Sequence, residues 1–373
     1  MSITSCKKPY MPTTTATGNH YLVVEGAITG GGDSTVIKLS RTADVGVSGN
    51  ESIRPEASAM VTVENDQNIT FTLSSRNDGT YVSAPLNLDN TRQYRLRIQT
   101  SDGQVYRSAF VPVKTTPPID SVGYTAKSNG LQIYINTHDA TNSSRYYRWV
   151  FEETWQFHAK YISDYVSDGQ TLSQRNADQQ VYYCFNHDVS STINLGSTAK
   201  LTKDVIYQNP VAFIPSTSEK VETKYSILVK QYSLTPEAYS FYENLKKNTE
   251  SLGSIFDALP SELKGNIHNI NDASEPVLGY ISAGNEQTKR IFISNADLPP
   301  DWRPNYPYEG CHMDSTLSGS NPNGVFDLLV PLPPSALALY KIKTKTDGGY
   351  MTSSIECADC TIRGTTTKPD FWK

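Results

Sequence analysis

No stretch of this sequence stays apolar for the roughly 20 residues that a helix needs to cross a bilayer, so no transmembrane helix is expected. Basic residues never run beyond two in a row and the net charge is −5, which excludes nucleic acid as a natural partner. Charged residues make up only 19% of the chain, below the usual quarter. Signatures of catalysis are missing as well: there is no G-x-S-x-G elbow, H-E-x-x-H pair, Walker loop or dinucleotide fingerprint. The Gly-rich stretch ITGGGDST lacks a following Gly-Lys-Ser/Thr and lies between strand-like runs, so it reads as a hairpin connection. Six His are scattered, and the neighbours His138–Asp139 and His187–Asp188 fall in polar segments. Glu152 and Glu153 are consecutive in a strand and point to opposite faces, so they cannot share a substrate. HDATN lacks the Asp-x-Asp-x-Asp spacing of a calcium loop. The residues alone therefore assign no catalytic residue, no cofactor and no metal.

What the chain does have is Tyr, 23 of them, with abundant Thr, Ser and Asn, a composition suited to an exported β-rich protein of two domains. From about residue 20 the pattern has period 2. In TRQYRLRIQT, Tyr94, Leu96 and Ile98 alternate with Arg95, Arg97 and Gln99, and Asp102–Gly103 turns the chain back into VYRSAF. YLVVEGAIT, STVIKLSRT, AMVTVEND, ITFTLSS and NDGTYVS are further short strands. The spacing predicts an immunoglobulin- or transthyretin-like β-sandwich over 20–116. Thr115-Thr116-Pro117-Pro118 marks its end, because consecutive Pro stop a strand.

Residues 117–373 are expected to form a larger β-rich domain. Its clearest strand is RYYRWVFEETWQFHAK, with Tyr147, Trp149, Phe151, Trp155 and Phe157 on one face, interrupted only by Glu153. That alternation reads as core packing ahead of a sugar-stacking platform. Residues 163–192 read as a polar excursion or long loop. KYSILVKQYSL is another strand, and Thr235-Pro236-Glu237 opens one amphipathic helix over about 235–250 with an N-cap, a Pro at the first position and an early acid. VLGYISA and KRIFIS are short strands in a loop-rich C-terminal segment.

Five Cys divide unevenly: Cys6 stands alone, and Cys184, Cys311, Cys357 and Cys360 form an even set that suggests disulfides and an oxidising compartment. Zinc and thioredoxin-like readings of Cys357-x-x-Cys360 lack a second knuckle and a βαβ context respectively. Cys311 is expected to bond Cys357 or Cys360, because the Pro-rich C-terminal segment has little regular structure to hold it, with Cys184 near the remaining thiol. Ile3-Thr4-Ser5-Cys6 resembles the lipobox that ends a bacterial lipoprotein signal peptide, which would make Cys6 a lipid attachment site. Residues 7–19, KKPYMPTTTATGN, hold almost no large apolar group and read as a flexible tether, so 1–19 form lipobox and linker. In DLPPDWRPNYPYEG, Pro304 and Pro307 stiffen a loop carrying Trp302, Tyr306 and Tyr308, the candidates for contact with a partner or ligand. The competing reading of that loop is that it covers the second domain's core.

YYRWVFEETWQF, the run from YSILVKQYSLTPEAYSFYENL through SELKGNIHNINDASEPVLGYISA, and CADCTIRGTTTKPDFW together resemble domain-of-unknown-function family 4249, over about Tyr21 to Trp372. The resemblance implies an exported, lipid-anchored lipoprotein of Bacteroidota-type outer membranes, often encoded beside TonB-dependent transporters of the SusC type, and it implies no catalytic residue. Lys7 and Lys8 follow Cys6 where surface-displayed lipoproteins of such bacteria often carry acids, so the face of the outer membrane is left open. The expectation is a non-enzymatic binding or accessory protein. The alternatives are a cell-envelope hydrolase acting on glycan or peptide, which would need a pocket of convergent ionisable groups, and a structural or adhesive lipoprotein, which would be expected to carry repeats.

Overall fold

The computed structural model describes residues 20–42, 54–167, 172–250, 263–305, 310–317, 336–343 and 348–373; Cys6, the tether to residue 19, and Tyr306 and Tyr308 lie outside the described residues. The described chain is mainly β, 51% strand against 11% helix. It divides into two units, the first taking residues up to Thr116 together with Ser233–Glu286, the second Pro117–Tyr232 and Gln287–Lys373.

The period-2 runs of the first unit become β1 (Leu22–Gly30), β2 (Ser34–Arg41), β3 (Arg54–Pro55), β4 (Met60–Asn65), β5 (Thr70–Ser75), β6 (Thr80–Pro85), β7 (Gln93–Gln99), β8 (Val105–Ser108) and β9 (Val111–Lys114). The second unit opens with β10 (Ile119–Lys127), β11 (Gly130–Asp139), β12 (Tyr146–His158), β13 (Tyr165–Ser167), β14 (Leu172–Gln174), β15 (Tyr183–Val189), β16 (Asn194–Ser197), β17 (Asp204–Pro215) and β18 (Lys224–Ser233). Helix α1 (Pro236–Glu250) and strands β19 (Ile267–Asn269), β20 (Leu278–Gly279) and β21 (Ala283–Asn285) follow, then β22 (Gln287–Ser294), β23 (Asp314–Leu317), β24 (Ala336–Lys343), β25 (Gly348–Ser354) and the short helix α2 (Ile355–Ala358).

The first unit departs from the expected sandwich. Its strands pair in the order β9-β21-β1-β2-β6-β5-β4-β7, and β7 pairs with β9 again, so the sheet closes on itself like a barrel. Closure removes the free edges that an open sheet must guard. Leu22, Ile28, Ile37, Leu39, Leu96, Ile98 and the rings of Tyr81 and Tyr106 fill the interior. The strand that completes the ring, β21, lies parallel to both β1 and β9 and arrives from a segment assigned from sequence to the second domain. Ser233–Glu286 therefore belongs to the first unit, a correction to the expected boundaries. It carries α1, which starts at the predicted position and buries Ala238, Phe241 and Tyr242. Gly279 permits the close approach of β20 to β1: it sits at φ +141°, and a Cβ there would fall 2.2 Å from the Val24 carbonyl oxygen.

The second unit is built on two main sheets. A three-stranded sheet, β10-β11-β17, and a five-stranded one, β15-β12-β18-β22 with β16 on β12, share one core. Tyr147, Trp149, Phe151, Trp155 and Phe157 all turn into it, as the alternation in β12 predicts. Glu153, which interrupts that face, is also buried; its carboxylate accepts from Tyr225 Oη at 2.6 Å and pairs with Lys220 Nζ at 2.5 Å. The segment 163–192 is not all loop, since β15 pairs with β12 along seven residues. The C-terminal segment is joined to this unit by Cys184–Cys360, and Trp372 is buried with its ring edge-on to Phe185 and Phe292.

Candidate functional site

Antiparallel pairing places the start of β1, the end of β2 and the end of β7 at one end of the closed sheet. There His20, Tyr21, Arg41, Arg54, the β7–β8 turn at Asp102 and the loop at Asp272–Pro276 after β19 line a cleft of about 610 Å³. Mouths of barrels are among the usual places for small-ligand sites, and this volume is in their range.

The floor is a saturated polar network centred on Arg41. Its Nε and Nη2 both donate to Glu56 Oε2 at 3.0 Å, while Nη1 reaches the His20 carbonyl at 3.3 Å and Tyr106 Oη at 3.5 Å. Glu275 lies 3.9 Å from Nη1 and accepts from Tyr106 Oη at 3.0 Å and from the Asn269 side-chain amide. Burial works against the Arg41 charge, but the bonds to Tyr106 and Glu56 outweigh it and hold the guanidinium above its ordinary value. Burial first, and then the bond to the Glu275 carboxylate, push the Tyr106 phenol up.

The walls behave differently. Asp102 Oδ1 accepts from the Thr100 hydroxyl and from the Gln104 amide, and Asp272 Oδ1 accepts from the amide and hydroxyl of Ser274. These bonds, led in each case by the side-chain hydroxyl, hold both carboxyls below the ordinary Asp range. Among the described residues neither Oδ2 has a hydrogen-bond partner. His20 Nδ1 donates to the Thr42 carbonyl at 2.8 Å, leaving Nε2 to accept from Arg54 Nη1 at 3.4 Å. None of these cleft residues was singled out as a site from sequence, because they come from strand ends and loops up to 256 positions apart, between His20 and Pro276.

The residues that were singled out meet other fates. Trp302 is 7% exposed and packs in the core of the second unit, so the covering role holds and a projecting contact does not. Tyr306, Tyr308 and Cys6 lie outside the described residues. Cys311 bonds Cys357 and Cys184 bonds Cys360, with Cα atoms 5.7 Å apart in each pair, so both thiols of the C-x-x-C motif are used in disulfides. His138 pairs with Asp120 at 2.8 Å and not with its neighbour Asp139, which instead accepts from Thr141, Ser143 and Ser144 within its own turn. Glu152 pairs with Lys230 at 2.6 Å while Glu153 turns inward, as opposite faces require. Among the described residues no three His, Cys, Asp or Glu side chains gather as metal ligands.

The family described as Domain of unknown function (DUF4249) matches residues 7–290. The match takes in the cleft and most of the two main sheets of the second unit and stops ahead of Cys311. No curated protein matches the chain.

Proposed function

The chain belongs to domain-of-unknown-function family 4249, and from that premise we propose that it is a lipid-anchored binding or accessory protein of the outer membrane, held by an acylated Cys6 and working beside a SusC-type TonB-dependent transporter. The observation that carries the reading is the family match across three quarters of the chain, residues 7–290 of 373. Two disulfides support export, since such bonds persist in oxidising compartments. Binding is favoured over hydrolysis by the chemistry of the cleft. Arg41, Glu56 and Glu275 hold one another, and the open carboxylate oxygens of Asp102 and Asp272 are acceptors on side chains held ionised, suited to gripping a ligand and not to donating a proton.

The test is affinity purification of the protein from native outer membranes, followed by identification of co-purifying chains and incubation with a glycan and peptide panel. A stoichiometric TonB-dependent transporter and an unchanged panel are expected. A monomer that hydrolyses a member of the panel would replace this reading with the hydrolase.

A further inference from the structure

We infer that the outer face of the closed sheet carries a site for a phosphoryl group, built on Arg107 with Arg97 and His268 beside it. The antiparallel register makes the row. Thr62 of β4 pairs with Arg97 of β7, Arg97 with Arg107 of β8, and Arg107 with His268 of β19. Paired positions hold their Cβ atoms about 4.5–5.5 Å apart, so three basic side chains stand side by side on three strands. Their strand neighbours Leu96, Ile98, Tyr106 and Ile267 are buried in the interior, which turns the row outward. Like charges set directly opposite in a sheet repel, and little in the row offsets them. Glu64 pairs with Arg95 at 2.7 Å and lies 3.9 Å from Arg97 Nε, while Arg97 Nη2 donates to the neutral Gln99 amide oxygen at 3.0 Å. Arg107 has no ion-pair or hydrogen-bond partner among the described residues. Its Nε is nevertheless buried, and so is the hydroxyl of Thr62, a residue only 8% exposed and likewise without a side-chain partner among the described residues. Buried donors without acceptors are costly, and here two of them belong to one row with the cations. An anion lying across Arg97 and Arg107 answers both the repulsion and the unpaired donors. A planar carboxylate fills one guanidinium fork, whereas the oxygens of a phosphoryl group accept from several directions, as two guanidinium groups and an imidazole require.

Inorganic phosphate is the first probe, titrated calorimetrically into the purified full chain at low, fixed ionic strength, with acetate as the comparison. Phosphate is expected to bind one site per chain at least about tenfold more tightly than acetate. Arg107→Gln and Arg107→Lys should each weaken phosphate at least about tenfold, the second because it keeps the charge and loses the fork. Arg76→Gln, which removes the same charge from the exposed turn between β5 and β6, should change the affinity less than about twofold. Circular dichroism checks that each variant folds, and the acetate comparison tests the unaltered chain even if one does not. Flotation with vesicles of phosphatidylglycerol in phosphatidylcholine, against phosphatidylcholine alone, identifies the source of the group. Arg107-dependent flotation supports a lipid headgroup, and phosphate binding without flotation supports a soluble ester. The inference is overturned by absence of both flotation and phosphate binding up to roughly 10 mM, or by acetate binding as tightly as phosphate. It is overturned equally if the Arg107 variants leave the phosphate affinity unchanged or Arg76→Gln lowers it as much. None of these results bears on co-purification with a transporter, so the accessory role stands or falls separately.

Discussion

Replacing Arg41 with Met retains its apolar stem and deletes the cation at the centre of the cleft floor. Glu56 then loses both its 3.0 Å bonds, and Tyr106, the His20 carbonyl and Glu275 lose a charged neighbour. Removing one partner of a fully buried pair costs about 3–5 kcal/mol because it strands the other charge. Arg41 and Glu56 keep 18% and 15% of their side-chain exposure, so water recovers part of that, and about 2–3 kcal/mol is expected. The assay is native-state hydrogen exchange, read on the slowest amides of β1, β2 and β7, which should exchange roughly 30–150-fold faster. All four Trp (149, 155, 302 and 372) belong to the second unit, so denaturation followed by their fluorescence identifies which unit lost stability. In a second variant, Glu56→Met joins Arg41→Met; with no stranded carboxylate at that position, protection should return to within about 1 kcal/mol of wild type. Unchanged exchange in Arg41→Met, or a double variant no better than the single, would refute the view that this pair organises the cleft.

Gln231 holds Trp149 Nε1 at 2.9 Å and donates to the Pro117 carbonyl at 2.8 Å and Thr137 Oγ1 at 3.0 Å, all buried; Gln231→Leu should cost about 3 kcal/mol in the Trp-detected transition, and a loss near zero would show the network is dispensable. Non-reducing peptide mapping should recover Cys184–Cys360 and Cys311–Cys357, and removing the second pair, whose partners are 46 residues apart, should cost about 4 kcal/mol by the loop-closure relation; any other pairing contradicts the fold of the C-terminal segment. His158 lies between the Ala159 carbonyl, 2.6 Å from Nδ1, and the Glu222 carboxylate, 2.8 Å from Nε2, an arrangement that favours a ring carrying both protons. The Glu222 bond, against burial, raises its pKa above 6.5, so the stability it contributes is complete below about pH 6.5 and lost as pH rises through the folded value. The melting temperature of wild type should therefore fall above pH 6.5 more steeply than that of His158→Gln; exposed His138, raised by Asp120, contributes equally to both. Parallel profiles would show that His158 is neutral when folded.

Much of the fold could be read where a local rule acts alone. Tyr94, Leu96 and Ile98 alternate and are buried, Thr235-Pro236-Glu237 opens α1, and the aromatic face of β12 is a core face. The disulfide partner of Cys311 was narrowed to two residues by where regular structure runs out, and the C-x-x-C pair is split between two bonds. Closure of the first sheet was hidden because β19, β20 and β21 are two or three residues long, too short to show a period. Their partners lie far away in sequence: Ile267 of β19 pairs with Ser108, and Ala283 of β21 with Ile28. The cleft was hidden for the same reason. Asp272 reads locally as the cap of a Ser turn, and only the return of Ser233–Glu286 to the first unit brings it beside Arg41 and Asp102. At Trp302 the sequence left two readings open, contact surface and core cover, and the core beneath the Pro-rich loop selects the second.

The most direct test of an outer-membrane lipoprotein is acylation at Cys6. Wild type and Cys6→Ser would be expressed from the native locus in cells fed a clickable palmitate analogue, then followed through membrane fractionation. The account predicts that wild type carries the label and sediments with the outer membrane, while Cys6→Ser carries none and leaves it. Unlabelled wild type in the cytosolic fraction would contradict it.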